Sequence, residues 1–154
     1  MAKSIYSAFL ITTMLVAFVP TLGISAKTAA ARLIPANGKI TTRGLYNITG
    51  YSGPQPVVIE MNGITLTGKH ENLSVVINQN ATLTLQGAHI KCTAEDTAPI
   101  RAGGLDCKLI LVDSNSLEAE GHHAAGINVP PGTSLIIEGS GSLYAAGSDS
   151  IDAL

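Results

Sequence analysis

Seven side chains with acid–base or metal-ligand chemistry fall in four short polar stretches of this chain. The stretches are GKHEN (Gly68 to Asn72), AEDT (Ala94 to Thr97), GHHA (Gly121 to Ala124) and GSDS (Gly147 to Ser150). If they stack, they place His70, Glu71, Glu95, Asp96, His122, His123 and Asp149 along one edge. Such a ledge would hydrogen-bond sugar hydroxyls, or hold Ca²⁺ through Glu95, Asp96 and Asp149. Calcium takes six to eight oxygens, and only these three carboxylates are obvious donors. The same residues are also what an ordinary solvated loop edge contains. Zinc fits poorly: the adjacent His122 and His123 point to opposite sides of an extended chain, and there is no HExxH and no CxxC pair.

Glycoside hydrolysis needs two carboxylates at a defined separation. Asp113 has Gly87 and Gly139 at the equivalent positions of the neighbouring rows described below. Glu60 and Glu138 share an alignment column, but Gln86 and Val112 lie between them. There is no GxSxG signature. The residues give no positive sign of an enzyme. A sugar-stacking aromatic is the other chemistry to seek, and aromatics are scarce. Tyr144 is the best candidate, pointing outward by alternation from Leu143, with Glu118 and Lys91 expected on the levels beneath it.

Something must position these residues, and the chain supplies a repeat. VVIEMNGITL (Val57 to Leu66), LTLQGAHIKC (Leu83 to Cys92), LILVDSNSLEA (Leu109 to Ala119) and LIIEGSGSLYA (Leu135 to Ala145) align. Val57, Leu83, Leu109 and Leu135 recur with a constant 26-residue period, as do Ile59, Leu85, Leu111 and Ile137. Ile64, Ile90, Leu117 and Leu143 follow with one extra residue in the middle step. Weaker apolar clusters lie between the rows, at LSVVI, APIRA and AAGINV. Three short β-like segments in each period, with no long amphipathic helix, describe one coil of a parallel β-helix. An antiparallel sandwich also has many short strands but does not explain the fixed period. The expectation is an all-β solenoid of about four coils over residues 45–154, with residues 27–44 as a linker or N-terminal cap. The last row stops part way at Leu154, which reads as a fragment of a longer protein or as an end that docks on a partner.

By the same alignment Cys92 and Cys107 both face the core, and a disulfide or two buried thiols satisfy the pattern equally. Residues 1–26 have the order of a secretory signal peptide: Lys3, an apolar run from Ala8 to Val19, Pro20, then small residues to Ala26. The run is shorter than a membrane-spanning helix, so no membrane span remains after cleavage. Setting Lys3 aside leaves eight Lys and Arg against eleven Asp and Glu, a net charge of −3. That balance argues against nucleic acid as a partner.

NVPPGTSLIIEGSGSLYAAGSDS (Asn128 to Ser150) and ATLTLQGAHI (Ala81 to Ile90) resemble repeats of secreted bacterial parallel β-helix proteins, many described as carbohydrate-binding domain or surface-adhesin repeats. The matching residues are Ala125, Gly126, Ile127, Val129, Gly132, Leu135, Ile137, Gly139, Gly141, Leu143, Ala145 and Gly147. The chain departs after Ser148, where a Gly-rich continuation is replaced by Ser150-Ile151-Asp152-Ala153-Leu154. The resemblance, with the rule for parallel crossovers, implies a right-handed coil. It also implies a secreted or cell-surface module that binds a polysaccharide or cell-surface glycan without catalysis. Two other readings stand beside it: a stalk or adhesin repeat with no small-molecule ligand, and the N-terminal part of a polysaccharide-degrading enzyme. Further domains of the same protein are expected downstream.

Overall fold

The computed structural model describes residues 30–148. The signal-peptide reading of residues 1–26, and Asp149 with the residues after it, lie outside the described residues. Thirteen strands follow one another: β1 (Arg32–Leu33), β2 (Lys39–Ile40), β3 (Gly44–Asn47), β4 (Val57–Ile59), β5 (Ile64–His70), β6 (Val75–Ile77) and β7 (Thr82–Cys92). Then come β8 (Ile100–Ala102), β9 (Cys107–Val112), β10 (Ser114–Ala119), β11 (Ile127–Asn128), β12 (Leu135–Gly139) and β13 (Ser142–Ala146). No helix occurs among the described residues, so none is long and apolar enough to cross a membrane.

Every strand pairing is parallel. Eight strands form one sheet, ordered β1-β3-β5-β7-β10-β13 with β9 beside β7 and β12 beside β9; five form the other, ordered β11-β8-β6-β4-β2. The chain therefore visits the two sheets alternately and climbs one level per visit, a β-helix-like arrangement. The long β7 pairs with β9 through its first half and with β10 through its second. Short strands of Val, Ile, Leu and Thr broken by Gly, Asn and Asp favour this path, because branched side chains pack on a pleated surface and the breakers tolerate tight turns.

The core lies between the sheets. Ile64, Leu83 and Leu109 stack in one inward column, and Leu66, Leu85 and Leu111 in the next. Val57, Val75 and Ile100 face them from the five-stranded sheet. All nine are buried. Each fully buried aliphatic side chain contributes on the order of 2 kcal/mol.

The constant 26-residue step needs correction. It holds from Leu83 to Leu109 and from Leu85 to Leu111. Ile64, however, pairs with Leu83, and Val57 pairs with Val75 in the other sheet. At the far end Leu109 pairs with Ile137, not Leu135, and Leu117 with Ala145, not Leu143. The early levels are shorter than the expected step and the last is longer. A V-x-I pattern recurs in both sheets, so two-residue alternation alone does not say which sheet a run joins. Residues 32–47 also pair as β1, β2 and β3, so the five-stranded sheet counts five levels against the four expected.

Candidate functional site

On the outer face of β5, β7, β10 and β13, alternation sends Lys69, His89, Ser116 and Tyr144 toward solvent in one column. Tyr144 is 62% exposed. The residues in its column are Ser116 and His89; Glu118 and Lys91 stand two residues further along, in line with Ala146. Lys91 is held by Glu120, with Nζ 2.9 Å from Oε1. That hydrogen bond, then the charges of Glu120, Glu118 and Glu71, hold its ammonium above the usual lysine range. Glu71, His70, Lys91 and Glu118 do come together with Lys69 and His89 around a shallow pocket of about 140 Å³.

His70 is engaged in the framework. Its Nδ1 accepts the Asn72 N–H at 3.1 Å, so Nε2 carries the hydrogen and donates to the Tyr51 carbonyl at 2.6 Å. His89 Nδ1 lies 2.9 Å from Ser116 Oγ, a pairing not anticipated from the sequence because its partners are 27 residues apart on different strands. A serine–histidine pair supports acyl chemistry only beside preorganised oxyanion donors. Here the flanking N–H groups belong to strands already paired on both sides, so the ladder leaves none of them as a free oxyanion donor, and the face offers polar contacts.

The loops after β7 and β10 form part of the expected ledge. The Asp96 N–H donates to the His122 carbonyl at 3.0 Å. Asp96 and His123 share a left-handed backbone, φ 52° and 55°, so the two loops repeat one conformation. Gly121 lies so close on the Ala94 carbonyl that only a residue without Cβ fits there. Ser148 continues the stack, its Oγ donating to the Gly121 carbonyl and its N–H to the Ala124 carbonyl. Glu95, Asp96, His122 and His123 are all exposed on this ledge. The GKHEN stretch is elsewhere: Lys69 pairs with His89 and His70 with Ile90, inside the sheet. Asp149 lies outside the described residues, among which no three His, Cys, Asp or Glu side chains gather as a metal site.

Cys92 and Cys107 are free, buried thiols. Cys92 ends β7 opposite Ala119, and Cys107 opens β9 opposite Leu135. The Cys107 thiol sits among the carbonyls of Ile77, Asn78 and Gly104 at 3.2 to 3.3 Å.

A groove of about 610 Å³ lies on the outer face of the five-stranded sheet. It arises from the change in level length. The Leu73 N–H reaches the Lys91 carbonyl and Ser74 Oγ reaches the Ala98 carbonyl, so the residues between Cys92 and Ala98 have no counterpart one level below. They loop out and overhang the shorter levels. Val76, Arg101 and Asn128 form the outward column beneath, flanked by Pro56, Ala98 and Asp96. Several polar groups of the wall are committed. Gln55 bridges the Asn72 carbonyl and the Ser74 N–H, Thr97 Oγ1 donates to the Glu95 carbonyl, and Asn72 Oδ1 accepts the Thr93 N–H. The side chains of Arg101, Asn128 and Asp96 carry no such bond among the described residues. Sequence reasoning passed over Arg101 and Asn128. The available signal was a lone cation between Ile100 and Ala102, which alternation sends outward from two core positions.

Comparison with family models, with curated proteins and with solved structures gave no match.

Proposed function

We propose that this chain is a non-catalytic glycan-binding module of a secreted or cell-surface protein, built as a right-handed parallel β-helix. The observation that carries the reading is the groove over the five-stranded sheet. Saccharides present hydroxyls that need planar, bidirectional hydrogen-bonding partners, and C–H faces that rest on apolar surface. Asn128, Asp96 and Arg101 supply uncommitted polar groups; Val76, Pro56 and Ala98 supply the apolar floor. A groove on an outer sheet face, rather than an enclosed cavity, suits a polymer passing through. Calcium at Glu95 and Asp96 would be an addition to this reading and is not required by it.

Affinity electrophoresis through gels containing soluble polysaccharides tests it. The protein should be retarded, and Asn128→Ala or Asp96→Ala should each weaken retention about tenfold, the loss of roughly one hydrogen bond to a sugar. Tyr144→Ala probes the opposite sheet and should leave retention unchanged. Loss of binding with Tyr144→Ala alone would move the site to the column over His89. No retardation in any gel would sink the glycan reading. The stalk reading would then lead, favoured by the ion pairs that tie adjacent levels at Lys39–Glu60, Lys91–Glu120 and Lys108–Glu138.

A further inference from the structure

We infer that the groove selects an acidic saccharide, whose carboxylate or sulfate group sits on Arg101 and Asn128. The inference rests on the glycan-binding reading and adds the charge of the ligand. Three lysines on the outer faces, Lys39, Lys91 and Lys108, are each tied to a glutamate. Arg101 points into the groove with no carboxylate within ion-pair distance among the described residues. Asn128 is its direct neighbour in the parallel ladder, so the two backbones stand about 4.8 Å apart. A guanidinium fork beside an amide offers several N–H donors at the spacing of two anionic oxygens.

Val76 precedes Arg101 in the same column, so the charged end of the groove abuts an apolar one. Asp96 on the overhanging loop repels an anion and accepts a hydroxyl, which orients the sugar with its acidic group toward the sheet. The chain as a whole is acidic, with a formal charge of −2. Its long-range field does not draw polyanions, so retention by an acidic polymer must come from a local contact.

The test compares neutral hydroxyethylcellulose and dextran with carboxymethylcellulose and dextran sulfate, in the same electrophoresis, using wild type, Arg101→Gln and Arg101→Lys. All three proteins should share one thermal midpoint, because Arg101 is exposed. The inference expects retention by an acidic polymer at least tenfold stronger than by its neutral counterpart. Arg101→Gln should remove that preference, Arg101→Lys should keep part of it, and added salt should weaken it. Retention by only the carboxylated or only the sulfated polymer supports the inference and identifies the group. Equal retention by neutral and acidic polymers, unchanged by Arg101→Gln, overturns the inference and leaves the glycan reading intact. Acidic retention unaffected by Arg101→Gln also overturns it. Absence of retention by every polymer overturns both.

Discussion

Asn115 is the residue that ties down the break between β9 and β10. It is 2% exposed and occupies an inward position among aliphatic neighbours. Its Oδ1 accepts the Ala88 N–H at 3.0 Å, and its Nδ2 faces the carbonyls of Val112, Asp113 and Ser142 at 3.1 to 3.2 Å. The amide thus caps backbone groups at the break between β9 and β10, where of the three carbonyls that of Asp113 also accepts the Ser142 N–H at 2.8 Å, and a buried unpaired group costs about 1–3 kcal/mol. Asn115→Ala should therefore lower stability by about 2–3 kcal/mol, read as a reduced urea midpoint. Asn115→Leu, which fills the volume, should not restore it; recovery with Leu would show that packing rather than the amide holds the break between the two strands. In the sequence this residue sits in DSNS, which reads as turn chemistry. Only the register shows that its amide is enclosed.

At the scale of elements, the repeat is written in the turns more faithfully than in the strands. Asn80, Asp106 and Gly132 have φ of 59°, 55° and 78°, and they follow one another at the 26-residue step. Gly87, Asp113 and Gly139, with φ of 58°, 61° and 120°, keep the same spacing. Asn, Asp and Gly are the residues that enter the left-handed region most readily. Two glycines of the second series test separate causes. A Cβ on Gly87 would meet nothing within 4 Å, so Gly87→Ala should cost only the backbone penalty, roughly 1–2 kcal/mol. A Cβ on Gly139 would run into the Leu111 carbonyl, so Gly139→Ala should cost clearly more and displace β12. Equal losses of thermal stability would mean that the close approach of β12 to β9 does not constrain the fold.

For the whole molecule, the legible part was the all-β class, the parallel stacking and the central columns, because Leu83, Leu85 and Ile90 recur at nearly constant spacing in Leu109, Leu111 and Leu117. The ledge was legible where two loops of like length stack, at Asp96 and His123. The groove was not, because it exists only where adjacent levels differ in length. That difference depends on pairing Leu73 with Cys92 rather than on any local motif.

The last level shows most sharply what pattern alone leaves undetermined. Aligned by its apolar residues, LIIEGSGSLYA follows LILVDSNSLEA at the 26-residue step, but the ladders pair Cys107 with Leu135 and Leu111 with Gly139, two residues further along. A two-residue slip keeps every side chain on the same face, so alternation permits both registers. The glycines decide in favour of the observed one: without Cβ, Gly139 and Gly141 settle against the Leu111 and Asp113 carbonyls, and the Gly141 N–H donates to the Leu111 carbonyl at 2.9 Å. Ile137 then stacks on Leu109 and, with no further strand over β12 among the described residues, is 46% exposed. Cys107 gives a direct test. In a Cys92→Ala background, Leu135→Cys puts a second thiol opposite Cys107, at about 4.8 Å between strands and within reach of a disulfide. Thr133→Cys lies two residues off that register, about 8 Å away and beyond reach. Mild oxidation should crosslink the Leu135→Cys protein within the chain and leave the Thr133→Cys protein with free thiols. The reverse result would place the last level at the 26-residue offset, with Leu135 on Leu109 and Ile137 on Leu111.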